Sequence, residues 1–430
     1  MSNGIEEHER VSHSITTPGS NFALDLSRRI PELDGLRGLA IGMVVFMHCV
    51  WLANGVNPSH FQNYIRIATR PFWSAVDLFF VLSGFLIGGN LLDARNSQNY
   101  FSTFYIRRFC RVLPIYLLFV SLVAVSYHLI YLRVGAPLDW LYAGRIPWYA
   151  YLTFGQNLWM AKWNDPGSII LVITWAFAVE VQFYLVVPAI IRFVRRSALP
   201  YVFVAGIVIA PIVRTYLGLH YQLFSTYVLL PSRMDSLFLG LLCAYLLREK
   251  EIWNWLLNHR ARTWAVLLVL VSGIPILCTD GTPATLLWMA AGYGWTALLY
   301  ATVLILAVTN SRSFMNRVLC WKWLRGLGTI SYGVYLFHYG IYGLSMWLFA
   351  GHGYLLVDWK DLGITCLAVA ATIAFASLSW RYFEKPIVRW SHKRRYGSPA
   401  QFETTSRDTQ LTSGSAESLP GFDVAVKYKA

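Results

Sequence analysis

Between residues 35 and 383 the chain passes through ten apolar stretches of about twenty residues: 35–54, 73–92, 112–132, 172–194, 199–217, 226–247, 263–280, 285–308, 329–350 and 361–383. At 1.5 Å per residue each is long enough to cross a hydrocarbon layer of about 30 Å as a helix. In lipid every backbone polar group must find its partner within the protein, and a helix does this within one segment. The sequence therefore predicts an all-α, polytopic membrane bundle of about ten helices. Composition agrees: 56% of the 430 residues are hydrophobic and 13% charged, against about 45–50% and about 25% in soluble domains. No long polar block divides the apolar stretches, so one membrane domain is expected over 31–390. It is flanked by disordered cytoplasmic tails at 1–30 and 391–430. The first tail lacks the apolar core of a cleaved signal peptide, so the first helix is expected to act as its own insertion signal.

The net charge of +14 does not point to nucleic acid, because the basic residues sit in short loops between apolar stretches. They set orientation instead. With ten helices and a cytoplasmic N-terminus, the inner loops hold Arg95, Arg107, Arg108, Arg111, Arg192, Arg195, Arg196, Arg248, Lys250, Arg260, Arg262, Arg312, Arg317, Lys322 and Arg325. The outer loops hold Arg66, Arg70, Arg133, Arg145, Lys162 and Lys360, a ratio of 15 to 6 in the direction of the positive-inside rule. Residues 148–160, short and interrupted by Gln156 and Asn157, fit this count only as an outer-surface or re-entrant element. Both termini are then cytoplasmic. The six cysteines show no C-x-x-C pair and read as buried reduced thiols, with no disulfide framework and no metal site.

Ionisable groups inside such helices are costly and face a protein or water-filled interior. The first stretch carries two, Arg37 and His48, eleven positions apart. At 3.6 residues per turn they share a helix face, about 16 Å apart along the axis. His48 is a base that can accept a proton from a hydroxyl near neutral pH. Glu180 is a buried carboxylate suited either to orient that imidazole or to pair with an arginine. Arg108 and Arg111, three apart just before the third stretch, can clamp a phosphate-bearing ligand or anchor the chain to headgroups. Asp77, Asp235, Arg214, His338 and His128 read as structural pairs, helix-end anchors or functional groups. Ser83 and Gly84 suit close helix packing.

In order along the chain, Glu32–His48, Asp77–Phe85, Arg108-x-x-Arg111 with Leu113-Pro114, Thr174-Trp175 to Glu180, Arg233-Met234-Asp235, Ile330–His338 and Glu384-Lys385-Pro386 resemble the membrane acyltransferase 3 family. That resemblance implies a multi-pass cell-membrane enzyme that O-acylates extracytoplasmic sugars from cytoplasmic acyl-CoA, with no permanently bound cofactor. It also implies that Arg37 and His48 form the essential motif and that Arg108 and Arg111 help hold the donor. Trp175-Ala176-Phe177 replaces the family's usual Trp-Ser-Leu, so no serine nucleophile is assigned there. The polar residues after the last motif are too few for the soluble esterase-like domain some relatives carry, and a second transfer step would need a partner.

The expected reaction moves an acyl group, acetyl first among them, to a hydroxyl of a sugar, polysaccharide or glycolipid. His48 serves as base or acyl carrier, Glu180 orients it, and Arg37 binds donor charge or stabilises the developing oxyanion. The same ionisable residues would also suit a proton-coupled transporter or flippase of a small molecule or lipid-linked sugar, or a glycan sensor without catalysis.

Overall fold

The computed structural model describes residues 30–397 apart from 52–63, 65–66, 68, 278–284, 311–312, 355 and 357. The expected tails over 1–29 and 398–430, together with Cys278, Arg66 and Arg312, lie outside the described residues. The architecture is all-helical. The helices used below are α1 (Pro31–Phe46), α2 (Ala75–Asp93), α3 (Tyr100–Ser126), α4 (Gln156–Trp163), α5 (Trp175–Phe193), α6 (Leu199–His220), α7 (Leu230–Leu246), α8 (Arg260–Leu277), α9 (Tyr293–Thr309), α10 (Lys322–Thr329), α11 (Ser331–Ala350), α12 (Trp359–Ser379) and α13 (Lys385–His392).

Among the described residues, eight helices are long and apolar enough to cross a membrane. The other two expected stretches are also helical, as α8 and α11. Helix α8 stops at the edge of the described residues, and α11 is diluted by four tyrosines and His338. Residues 148–160 do not form one span. They break into Trp148–Leu152 and α4, with a left-handed Phe154 between them (φ 55°). Gln156 and Asn157 are fully buried because they bridge neighbouring backbones: Gln156 donates to the Thr174 carbonyl (2.9 Å) and Asn157 to the Val228 carbonyl (3.1 Å).

Helix α2 is the hub, packed against α1, α5, α7 and α9. Its contact with α7 is backbone to backbone: a Cβ on Gly84 would lie 2.0 Å from the Leu237 carbonyl oxygen, and one on Gly240 would lie 2.2 Å from that of Val81. The expected small-residue packing at Gly84 is therefore present, while Ser83 points to a polar partner described below. Two ion pairs lock α7 in place. Arg233 bonds Asp77 of α2 at 2.7 Å and Arg214 of α6 bonds Asp235 at 2.7 Å, all four side chains being almost fully buried.

The structure departs from expectation at several points. Helix α3 begins at Tyr100 rather than near 112, so Arg108 and Arg111 stand on a continuous helix and not in a loop. Residues 391–397, expected to open a disordered tail, are held against α3: Arg107 and Asn99 donate to the carbonyls of Arg394 (3.1 Å) and Arg395 (2.9 Å), and the Gly397 N–H donates to Asn99 (2.7 Å). Of the described cysteines, Cys49 and Cys243 are buried and Cys110 and Cys320 half-buried, but Cys366 is exposed on the outward face of α12. His128 is likewise exposed, in a π turn after α3.

Candidate active site

Two cavities lie end to end inside the bundle. The first, with an open volume of about 690 Å³, is lined by Arg37 of α1, Ser83 of α2, Arg108 and Arg111 of α3, Glu180 of α5 and Tyr332 of α11. The i,i+3 spacing of Arg108 and Arg111 turns both guanidinium groups to one side of α3. Arg108 lies over the Phe104 ring (5.9 Å) and Arg111 over Tyr332 (5.2 Å). Arg37 leans on Asp34 one turn away (3.2 Å) and keeps 22% of its side chain exposed. Neither Arg108 nor Arg111 has a carboxylate partner among the described residues. Glu180 accepts the Ser83 hydroxyl (2.7 Å) on one oxygen and the Tyr332 hydroxyl (2.9 Å) on the other. Three guanidinium groups around one carboxylate leave this chamber net cationic, a setting that suits phosphate oxygens. Just outside it, burial raises the Tyr396 phenol above its ordinary value, although Arg108 and Arg107 beside it act the other way.

The second cavity, with an open volume of about 1220 Å³, is lined by His48 and the aromatic residues Trp73, Trp175, Phe224, Tyr227, Tyr293, Tyr335 and Tyr339. Helix α1 stops being α-helical at Phe46 and widens into a π turn, Met47–Trp51, which carries His48. Such turns recur at functional sites. The His48 ring meets Tyr339 edge-on, with centroids 4.7 Å apart, and its Nδ1 lies 2.9 Å from Nε2 of His338 on α11. His338 is buried, and its own Nδ1 points back at the carbonyls of Tyr335 (2.7 Å) and Val334 (3.1 Å). The wall carries the Asp77–Arg233 pair behind it: the Arg233 guanidinium sits over the rings of Tyr293 (4.6 Å) and Tyr227 (5.1 Å).

Val76 and Tyr335 line both cavities, so these side chains stand between them. Tyr335 is fixed there by its hydroxyl, which donates to the Ile173 carbonyl (3.1 Å).

The structure thus brings Arg37, Arg108, Arg111 and Glu180 together, and puts His48 in the adjoining chamber. It does not bring Glu180 to His48. The Glu180 carboxylate oxygens accept from Ser83 and Tyr332, and the side chain hydrogen-bonded to the His48 ring is His338. Asp77 pairs with Arg233 and Asp235 with Arg214, the structural pairing that was one reading of Asp77, Asp235 and Arg214, although Asp77 Oδ2 and Arg233 Nε and Nη1 are buried without a hydrogen-bond partner among the described residues. From the sequence His338 read only as a structural or functional intramembrane group, with no partner assigned. The available signal was the tyrosine face of α11, where Tyr332, Tyr335, Tyr339 and Tyr342 recur at spacings of three and four around an imidazole.

A family model for the acyltransferase domain matches residues 30–381. The chain belongs to the acyltransferase 3 family. Acyltransferase 3 proteins similar to it include the peptidoglycan O-acetyltransferase OatA of Listeria monocytogenes, 29% identical over 385 residues that cover 83% of this chain and 56% of the relative. The putative peptidoglycan O-acetyltransferase YrhL of Bacillus subtilis is 29% identical over 380 residues, 84% of this chain and 55% of the relative. The O-acetyltransferase OatA of Staphylococcus aureus is 25% identical over 386 residues, 84% of this chain and 57% of the relative. The chain spans about half the length of these curated relatives. No solved structure matches it. The acyltransferase-domain match runs from the start of α1 through α12, so it takes in both chambers.

Proposed function

We propose that this acyltransferase 3 protein moves an acetyl group from cytoplasmic acetyl-CoA to a hydroxyl of an extracytoplasmic glycan, and that the acceptor is a peptidoglycan sugar, as the names of its relatives suggest. The observation that carries this reading is the pair of chambers, cationic and aromatic, with Val76 and Tyr335 lining both. The protein crosses the cell membrane ten times with both termini cytoplasmic. Arg37, Arg108 and Arg111 face the cytoplasmic side and hold the donor's phosphates through charge-assisted hydrogen bonds. Glu180 keeps Ser83 and Tyr332 in place along that chamber. The thioester extends past Val76 and Tyr335 to His48, and the acceptor stacks on the aromatic faces of the second chamber.

His48 takes the proton of the acceptor hydroxyl. The alkoxide oxygen bonds to the thioester carbonyl carbon, the carbon–sulfur bond breaks, and the proton returns from His48 to the departing thiolate. The products are an O-acetyl ester and free coenzyme A, with no oxidant or metal required by the balance. The test uses purified full-length protein with acetyl-CoA and soluble peptidoglycan fragments. Free thiol should appear only when acceptor is present, and His48→Ala should abolish it at unchanged protein yield. Thiol release unaffected in His48→Ala removes His48 from the chemistry; fragment movement across a vesicle membrane without acetyl-CoA consumption replaces the reading with transport.

A further inference from the structure

We infer that His338 is a positioning residue that fixes the tautomer of His48, so that Nε2 of His48 is the lone pair presented to the acceptor hydroxyl. The inference rests on the acetyl-transfer reading for its kinetic consequence, but its structural content stands on hydrogen-bond chemistry alone. A backbone carbonyl oxygen only accepts. His338 Nδ1 lies 2.7 Å from the Tyr335 carbonyl and 3.1 Å from that of Val334, so Nδ1 carries a hydrogen and donates to its own helix. In neutral His338 this leaves Nε2 with a lone pair. That atom lies 2.9 Å from His48 Nδ1, which must therefore be the donor. A neutral His48 with its hydrogen on Nδ1 has its lone pair on Nε2.

The neutral state follows from the surroundings. The rings packed on the two imidazoles are the neutral phenols of Tyr335 and Tyr339, Tyr227 and Tyr293 line the same chamber, and the next residue in the π turn is the neutral thiol Cys49. Among the described residues no carboxylate lies within 4 Å of either imidazole, so a buried imidazolium would lack a counter-charge. The pair is a chain of one direction: His48 Nδ1–H to His338 Nε2, then His338 Nδ1–H to the α11 backbone. When His48 takes the acceptor's proton on Nε2, the bond from its Nδ1 becomes charge-assisted and stronger, which stabilises the transition state in the way a carboxylate does in a Ser-His-Asp triad. Here an imidazole anchored to a helix backbone takes that place without adding a charge to an apolar chamber.

Two measurements test this on the full-length protein in lipid bilayers. In protein carrying ¹⁵N,¹³C-labelled histidine, ring correlation spectra should give Nδ1–H and a bare Nε2 for both His48 and His338, with each signal assigned by its loss in His48→Gln or His338→Gln. A hydrogen on Nε2 of His48 overturns the inference whether or not the protein turns over acetyl-CoA. In the thiol-release assay His338→Ala should lower kcat about 10²-fold or more, with KM for acetyl-CoA changed less than about twofold. His338→Gln, whose side-chain oxygen can accept from His48 Nδ1, should recover at least tenfold of that loss. Equal kcat for the alanine and glutamine variants, or a defect confined to KM, refutes the positioning role. Absence of thiol release in the unaltered protein instead refutes the acetyl-transfer reading and leaves the spectroscopic arm as the deciding one.

Discussion

Removing the carboxylate of Asp77 is expected to destabilise the bundle by about 3–5 kcal/mol, the cost of leaving a buried ion without its partner. Arg233 and Asp77 are both 0% exposed and 2.7 Å apart, and the same Asp77 oxygen accepts the Ser236 hydroxyl at 2.6 Å. Asp77→Ala therefore strands one guanidinium and one hydroxyl together. The rings around Arg233 attract it in either case, so they do not compensate for the loss. At about 1.4 kcal/mol per factor of ten, the folded-to-unfolded ratio should fall by roughly 10²–10⁴. Asp77→Asn keeps the acceptor but not the charge and should lose less. Asp77→Ala with Arg233→Met should regain most of the stability, because the stranded charge is gone. The measurement is equilibrium unfolding of the detergent-solubilised protein, followed by tryptophan fluorescence. A single variant within about 1 kcal/mol of the parent, or a double variant no more stable than Asp77→Ala, would refute the reasoning. Since Arg233 backs Tyr227 and Tyr293, the single variant should also lose thiol-release activity before it loses global fold.

Arg108→Ala combined with Arg111→Ala should raise the KM for acetyl-CoA by about 100-fold or more, since each removes a hydrogen bond to a charged group worth about 1.5–3 kcal/mol; an altered acceptor preference with unchanged donor dependence would count against the clamp. Orientation is checked by cysteine substitution at two exposed aromatic positions, Tyr149 on the element before α4 and Trp323 on α10, in a chain whose own cysteines are replaced by serine. A membrane-impermeant maleimide applied to intact cells should label Tyr149→Cys, and should label Trp323→Cys only after permeabilisation; the reverse pattern inverts the proposed topology.

The spans were legible because lipid imposes a length and an apolar composition that a sequence displays directly. Glycine contacts such as Gly84 with α7 were legible for a similar reason: small residues inside an apolar helix have few other uses there. Arg108 and Arg111 were visible as a pair sharing a helix face, but the unbroken run of that helix into the third stretch was not, since charges next to an apolar stretch look alike in a loop and on an extended helix end. The partner of His48 could not be read at all. It lies 290 positions away, no local spacing encodes that distance, and the carboxylate at Glu180 was the more conventional candidate. The π turn at Met47–Trp51 was not legible either, because the alignment of Arg37 with His48 assumed 3.6 residues per turn throughout.

In the proposed reaction, helix α11 ties the two chambers together. Tyr332 holds Glu180 in the cationic chamber and His338 holds His48 in the aromatic one, six residues or about 9 Å further along the same helix. Helix α1 with the π turn that continues it runs from Arg37 to His48, eleven residues or about 16 Å. Both ends of the proposed reaction are thus measured off the same two rigid rods, which set a fixed distance between the charge that binds the donor and the nitrogen that receives the proton. A fixed distance suits an extended donor anchored at one end and reactive at the other. It does not suit a solute that must travel whole through the bundle, because Val76 and the hydrogen-bonded Tyr335 stand across that route. On this reasoning the shared wall is the feature that separates acyl transfer from transport, so widening it with Val76→Ala should leave acetyl transfer in place and open a measurable leak of small solutes into sealed vesicles; an unchanged vesicle permeability would count against the wall.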